Sequence, residues 1–98
     1  MIVAEASIVP LGSGTSVSSF VAAFVKSLRR QGIRTRPHAM GTNLECASLG
    51  RLFRAVERAR EEVFSAGARR VLLTLHIDER RDKRASIAQK LRSLKQKI

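Results

Sequence analysis

Two halves with the same pattern, joined at Met40-Gly41, constrain the fold of this chain more than any other feature. Each half combines a strand-like run with a helix-like run, and a short extended segment, Ile33–Ala39, precedes the joint. Met40-Gly41 is predicted to form a tight turn, because glycine reaches positive φ and a two-residue hairpin loop requires it. The strand that leaves this turn would run from Thr42 to Cys46.

The alternation of the strand-like runs predicts which side chains face the core. In Ile2–Leu11, one face is wholly apolar and the other is mixed. The apolar face comprises Ile2, Ala4, Ala6 and Ile8, and the mixed face comprises Val3, Glu5, Ser7 and Val9. The run Val71–Asp78 is almost continuously apolar, which predicts a position in the interior of the sheet. Ile33–Ala39 carries Pro37 and alternating charges, which are typical of an edge strand.

Three segments carry apolar residues at helical spacing. The first is Val17–Arg30, for which Thr15 or Ser16 is a suitable N-cap. The second begins after the predicted cap Ser48, and the third covers Ala85–Ile98. The apolar residues of the first helix are Val17, Phe20, Val21, Phe24, Val25 and Leu28, and the expected inner face of the second comprises Leu49, Leu52, Phe53, Val56, Val63 and Phe64. The third is a basic helix with one narrow apolar stripe of Ile87, Leu91, Leu94 and Ile98.

The order β-α-β-β-α-β, followed by an extra C-terminal helix, predicts an α/β (α+β) domain of the ferredoxin-like class over residues 1–98. Right-handed crossovers would place both main helices on one face of a four-stranded antiparallel sheet. The opposite face would be bare. It would carry Glu5, Ser7, Thr74, His76 and Asp78 among apolar residues. We expect another subunit to cover a face of this mixed character.

The residue inventory excludes several classes of protein. No apolar run approaches the ~20 residues that a membrane span needs, so no membrane partner is expected. The N-terminus lacks the pattern of a signal peptide, which predicts a cytoplasmic location. Cys46 is the sole cysteine, which excludes an internal disulfide and a cysteine-cluster zinc site.

The sequence shows no residue pattern typical of a catalytic site. His38 and His76 lie far apart, and their spacing from Glu45 or Asp78 does not indicate a metal site. The serines that follow the first strand have no obvious base in the sequence. We therefore predict a protein that is not an enzyme and that carries no cofactor and no metal.

An alternative interpretation is a basic structural or nucleic-acid-associated oligomeric module. The formal net charge is +11, and residues 79–98 hold eight Lys and Arg against two acids. Such a segment can grip phosphates or form a solvated face. RNA recognition on a ferredoxin-like sheet needs aromatic side chains on the central strands, and all four Phe are predicted in helices instead. Nucleic acid is therefore the less favoured partner.

Several motifs, in this order, resemble the small thiamine-binding (YkoF-like) protein family. They are Ile8-Val9-Pro10-Leu11-Gly12, the Ser-rich start of the first helix, Met40-Gly41-Thr42 with Glu45, and His76-Ile77-Asp78-Glu79-Arg80-Arg81. The resemblance covers essentially the whole chain. It implies a ferredoxin-like domain that forms dimers and tetramers through its sheets, a dimer of dimers. It also implies binding of thiamine or its hydroxymethylpyrimidine part in the cytoplasm, without catalysis.

The resemblance directs attention to Glu45 as the acid that recognises an aminopyrimidine, with Thr42 and Gly41 as its neighbours. The Gly12–Ser16 loop would form a second wall. The complete expected set is Glu45, Thr42, Gly41, Asn43, Ser13, Thr15, Ser16 and His76. Structural alternatives remain for each part: a salt bridge between Glu45 and an arginine, Thr42 as a plain strand residue, and a loop that only connects strand to helix.

Overall fold

The structure, a computed structural model, describes residues 1–98 as four strands and three helices. The elements in chain order are β1 (Ile2–Pro10), α1 (Ser18–Arg30), β2 (Arg34–His38), β3 (Gly41–Cys46), α2 (Leu49–Ser65), β4 (Val71–Glu79) and α3 (Ile87–Lys95). This order confirms the predicted succession of elements, including the additional helix. None of the helices is long and apolar enough to span a membrane.

The strands form one sheet in the order β2-β3-β1-β4, and every neighbouring pair is antiparallel. The two longer helices pack on one face of this sheet, which confirms the ferredoxin-like fold. The prediction that β4 lies in the interior was wrong, because β4 pairs only with β1 and forms an edge. The run is apolar because alternate residues of β4 face the helices and because Leu72, on the other face, is apolar but exposed. The strand is not buried on both faces.

The core lies between the sheet and the two longer helices. Its most completely buried side chains are Ile2, Phe24, Leu28, Leu44, Leu52 and Val63. The strict alternation of buried and half-buried residues along β1 confirms the predicted apolar face. Each large aliphatic side chain removed from water contributes about 1.5–3 kcal/mol to folding, so this layer supplies most of the stability.

Helix α2 buries a narrower stripe than the apolar pattern predicts. Its buried residues are Leu52, Ala55, Val56, Ala59 and Val63. Phe53 is 50% exposed and Leu49 and Phe64 are each 37% exposed, so these three predicted core positions were wrong. Each phenylalanine is one residue beyond a buried position and is therefore turned by about 100° around the helix, away from the sheet. The Arg60 guanidinium lies 5.9 Å from the Phe64 ring centroid and partly covers it.

The helix starts follow the capping predictions at one helix and depart from them at another. The Ser48 hydroxyl accepts the Arg51 N–H at 3.3 Å, as predicted for α2. At α1, however, the capping position is Val17, which has no side-chain cap, so neither Thr15 nor Ser16 performs this role. The loop therefore extends one residue further along the chain than a cap at Ser16 would predict.

The hairpin between β2 and β3 turns at Ala39-Met40, and Gly41 is already the first residue of β3. Gly41 does not have positive φ, so the reason given above for its glycine was wrong. The glycine is explained by close packing: an added Cβ would lie 3.1 Å from the Ala6 carbonyl oxygen of the neighbouring strand. A β-carbon there would push β1 and β3 apart.

Candidate ligand-binding site on the open sheet face

The sheet face away from α1 and α2, here called the open face, carries rows of mainly polar residues across the strands. One row joins Arg34, Glu45, Val3 and Asp78, and the next joins Arg36, Asn43, Glu5 and His76. The polar residues that were predicted to lie on the uncovered sheet face are found on the open face. Helix α3 crosses only part of this face, where Ala85 and Ile87 are buried.

Glu45 occupies the part of the open face next to α3. Its carboxylate Oε1 accepts the Ile87 backbone N–H at 2.5 Å, so it caps the first turn of α3. The Ser86 hydroxyl accepts the Gln89 N–H at 3.0 Å and completes the cap. A carboxylate is favoured there because the helix N-terminus carries a partial positive charge. Glu45 forms no ion pair in this structure, although Arg34 lies directly across the strand pair from it.

Two grooves meet at Glu45 and are lined largely by arginines. The larger has a volume of about 570 Å³ and contains Arg34, Arg51 and Arg84 beside Glu45. The smaller has a volume of about 360 Å³ and contains Arg29, Arg34 and Arg36. None of these arginines forms an ion pair with a carboxylate. Glu45 is the only acid that lines either groove.

A second carboxylate, Glu5, lies on the central strand between both histidines of the chain. His38 Nε2 is 3.1 Å from Glu5 Oε2, and His76 Nδ1 is 3.4 Å from Glu5 Oε1. A hollow of about 230 Å³ adjoins this cluster and is closed on one side by the ion pair between Asp78 and Lys90. No group of three His, Cys, Asp or Glu side chains has the arrangement of a metal site.

The sequence interpretation missed Glu5 as a partner of the histidines. It placed Glu5 on the mixed face and described His38 and His76 only as far apart in the sequence. The signal that would have found the cluster is strand register, since Glu5 pairs directly with His76. Register between β1 and β4 is a long-range property that neither strand shows alone.

Several of the predicted site residues do not share a surface with Glu45. Thr42 is only 2% exposed and points to the helix-covered face, because residues three apart in a strand face opposite sides. Gly41 is at the hairpin end of β3. Asn43 and His76 do lie on the open face, in the same row as Glu5 and one row from Glu45.

The loop that contains Ser13, Thr15 and Ser16 lies beyond the opposite end of β1. Glu45 pairs with Val3, whereas the loop follows Pro10. These positions are separated by seven residues of extended chain, or roughly 23 Å at ~3.3 Å per residue. The expected grouping of Glu45 with this loop is therefore not formed within one chain.

The segment between β4 and α3 is held by a local ion pair. Arg80 donates from Nε and Nη2 to the two carboxylate oxygens of Asp82, at 2.9 and 2.6 Å. This bidentate hydrogen bond lowers the pKa of Asp82 to about 2. The segment leads directly into the buried Ala85 and the Ser86 cap at the start of α3.

Together these features define a class of protein: a small ferredoxin-like domain whose uncovered sheet face gathers carboxylates, histidines and unpaired arginines around open grooves. Residues 4–95 match the model of the family described as thiamine-binding protein. The chain belongs to this family. Neither this description nor the names of its relatives indicate a catalytic activity.

Known relatives match the chain over nearly its whole length. It is 46% identical to the UPF0045 protein of Methanothermobacter thermautotrophicus over 99 residues, covering all of both chains. The crystal structure of a hypothetical protein from Methanocaldococcus jannaschii has a TM-score of 0.87 at 37% identity, covering 96% of this chain and 95% of that one. A Thermotoga maritima protein described as a thiamine biosynthesis/salvage protein has a TM-score of 0.81 at 15% identity, covering 95% and 97%, which shows the shared fold alone.

Proposed function

We propose that this protein binds thiamine or a related hydroxymethylpyrimidine compound at Glu45 on the open face, without converting it. The observation that carries the proposal is the Glu45 carboxylate, which is half-buried where two grooves meet. Its Oε1 holds the start of α3, and Oε2 has no hydrogen-bond partner within the chain. A fixed carboxylate with a free oxygen is well placed to accept hydrogen bonds from a ligand. The family match supports the same conclusion.

The chemistry of an aminopyrimidine fits such an acid. The ring presents an exocyclic amine and a ring nitrogen that can carry a proton, and a carboxylate can engage both. The thiazolium of thiamine is cationic, so a carboxylate nearby also offsets its charge. Hydrogen bonds of this kind, to an ionised acceptor, are worth about 1.5–3 kcal/mol each.

The proposal assigns different roles to the remaining predicted residues. Asn43 and His76, with Glu5, would form a polar floor beside Glu45. Thr42 and Gly41 would act by shaping β3, since Thr42 is buried on the other face. Ser13, Thr15 and Ser16 would reach a ligand at Glu45 only from another subunit.

We also propose that the open face is covered by other copies of the chain, as a dimer or as a dimer of dimers. Leu72 is 56% exposed on this face, beside Val9 on the neighbouring strand. Burial of such residues against a second sheet would remove apolar area from water. Light scattering coupled to size-exclusion chromatography measures the assembly, and a monomer at all concentrations would overturn this part of the proposal.

Calorimetric titration tests the binding proposal. Thiamine and hydroxymethylpyrimidine are titrated into the wild type and into Glu45→Gln, which loses the charge but retains an oxygen that can cap α3. The expected result is saturable binding that the substitution weakens by roughly 1.5–3 kcal/mol. Glu57→Gln, on the exposed side of α2, is the matched control and should bind as the wild type does. Absence of heat with every ligand would reject the proposal.

The nucleic-acid alternative makes a different prediction. The central strands β1 and β3 carry no aromatic side chain, and the exposed Phe53 and Phe64 lie on α2. Sequence-specific base stacking on the sheet is therefore not expected. Salt-sensitive binding to random RNA, in the absence of thiamine binding, would favour the alternative.

A further inference from the structure

We propose that the arginine-lined grooves beside Glu45 receive the phosphate end of the ligand, so that the protein prefers phosphate esters of thiamine to thiamine itself. This inference rests on the proposed function and specifies which chemical form the same site takes. The observation that supports it is the arrangement of arginines around one carboxylate, that of Glu45.

The charge inventory of the two grooves is strongly one-sided. The arginines that line them are Arg29, Arg34, Arg36, Arg51 and Arg84, and the only acid is Glu45. The single negative charge of Glu45 offsets only one of these five positive charges. Cations gathered in a concave surface repel one another, and the field is focused by the walls of the groove. An anionic ligand relieves that repulsion, whereas a purely cationic ligand increases it.

The guanidinium groups also have free hydrogen-bonding capacity. Arg51 uses Nη2 to reach the Gln31 carbonyl at 3.0 Å, and Arg29 uses Nε to reach the Thr35 hydroxyl at 2.7 Å. Arg34, Arg36 and Arg84 form no side-chain hydrogen bond within the chain. Planar guanidinium donors match phosphate oxygens in a bidentate manner, which makes arginine well suited to phosphate recognition.

The placement of opposite charges in one groove fits a ligand with opposite charges at its two ends. Glu45 and Arg34 are direct cross-strand partners, and Arg84 enters the same groove from the segment before α3. The aminopyrimidine end would meet Glu45, and the phosphate end would meet the arginines. At long range, the net charge of +11 repels cationic thiamine and attracts an ester whose phosphates reverse the ligand charge.

The test is a calorimetric comparison of thiamine, thiamine monophosphate, thiamine diphosphate and inorganic pyrophosphate. The wild type is compared with Arg34→Gln and Arg84→Gln, and Arg69→Gln is the control because Arg69 lies in the turn between α2 and β4, outside the grooves. The diphosphate is expected to bind at least about tenfold more tightly than thiamine, on the scale of one charged hydrogen bond. This advantage should shrink as salt is added, because exposed charges are screened.

The variants separate this inference from the function on which it rests. Arg34→Gln should weaken binding of the diphosphate much more than binding of thiamine and so remove most of the diphosphate advantage, and Arg69→Gln should change neither affinity. If thiamine binds as tightly as its esters, or if Arg34→Gln weakens all ligands equally, the inference is overturned and the proposed function stands. If no pyrimidine ligand binds and only pyrophosphate does, the grooves are general anion sites and both are rejected.

Discussion

The two faces of the sheet are built on the same strands but have opposite characters. The helix-covered face is mainly apolar, with Thr42 as a buried polar residue, and it packs in a layer with Leu28, Leu44 and Leu52, all fully buried. The open face sets charged and polar residues opposite one another in rows across the strands. Packing explains the residues of the first face. The second face has groups whose hydrogen-bonding capacity the chain does not use, which is why we place the ligand there.

The largest expected effect on stability comes from a substitution in the apolar layer between the sheet and the helices. Leu52→Ala removes a fully buried side chain and should lower the free energy of unfolding by about 2–5 kcal/mol. Leu72→Ala on the open face is the matched control and should cost less than about 1 kcal/mol in the monomer, because Leu72 is mostly exposed. Urea denaturation at low protein concentration measures both. Equal losses would mean that the two faces are equally packed.

A smaller effect should appear where the open face is tightly packed. Gly41→Ala should destabilise the protein by about 1–3 kcal/mol, because its Cβ would contact the Ala6 carbonyl oxygen at 3.1 Å. Gly50→Ala is the control: its Cβ would approach only the flexible end of Arg54, and alanine favours the helix by up to ~1 kcal/mol. Thermal unfolding of the two variants distinguishes them. A stable Gly41→Ala protein would contradict the close approach of β1 and β3.

The smallest effect concerns pH and the segment that leads into α3. The pKa of Asp82 is lowered from 3.8 to about 2 by Arg80, so the folded state favours the ionised carboxylate. Its contribution to stability is present above about pH 4 and is lost as the pH falls towards about 2. The wild type should therefore lose slightly more stability than Asp82→Asn over this interval. Identical acid titrations of stability would show that the pair has no effect on folding.

The sequence was sufficient for the element order and for the buried side of β1, because periods of two and 3.6 residues are local properties of a chain. The same period of two residues, applied to β3, would also have shown that Thr42 and Glu45 face opposite sides of the sheet. Residues three apart in a strand cannot share a face. The expectation that Thr42 and Glu45 share one surface was inconsistent with this period, and the inconsistency could have been detected without the structure.

Other features depend on relations between distant segments. The position of β4 at an edge, the contact of Gly41 with Ala6 and the meeting of Glu5 with both histidines all follow from strand order and register. The capping of α3 by Glu45 joins residues 42 positions apart. Local periodicity contains no information about such pairs.

The most direct test of the central claim is a map of ligand contacts by nuclear magnetic resonance. Thiamine is added to the isotope-labelled protein, and the shifts of backbone amides are followed at each residue. We predict that the largest shifts fall at Arg34, Glu45 and Ile87, beside the grooves, while amides of the buried stripe of α2 remain unchanged. Shifts confined to the α1–α2 layer, or absent altogether at saturating thiamine, would contradict a ligand site on the open face.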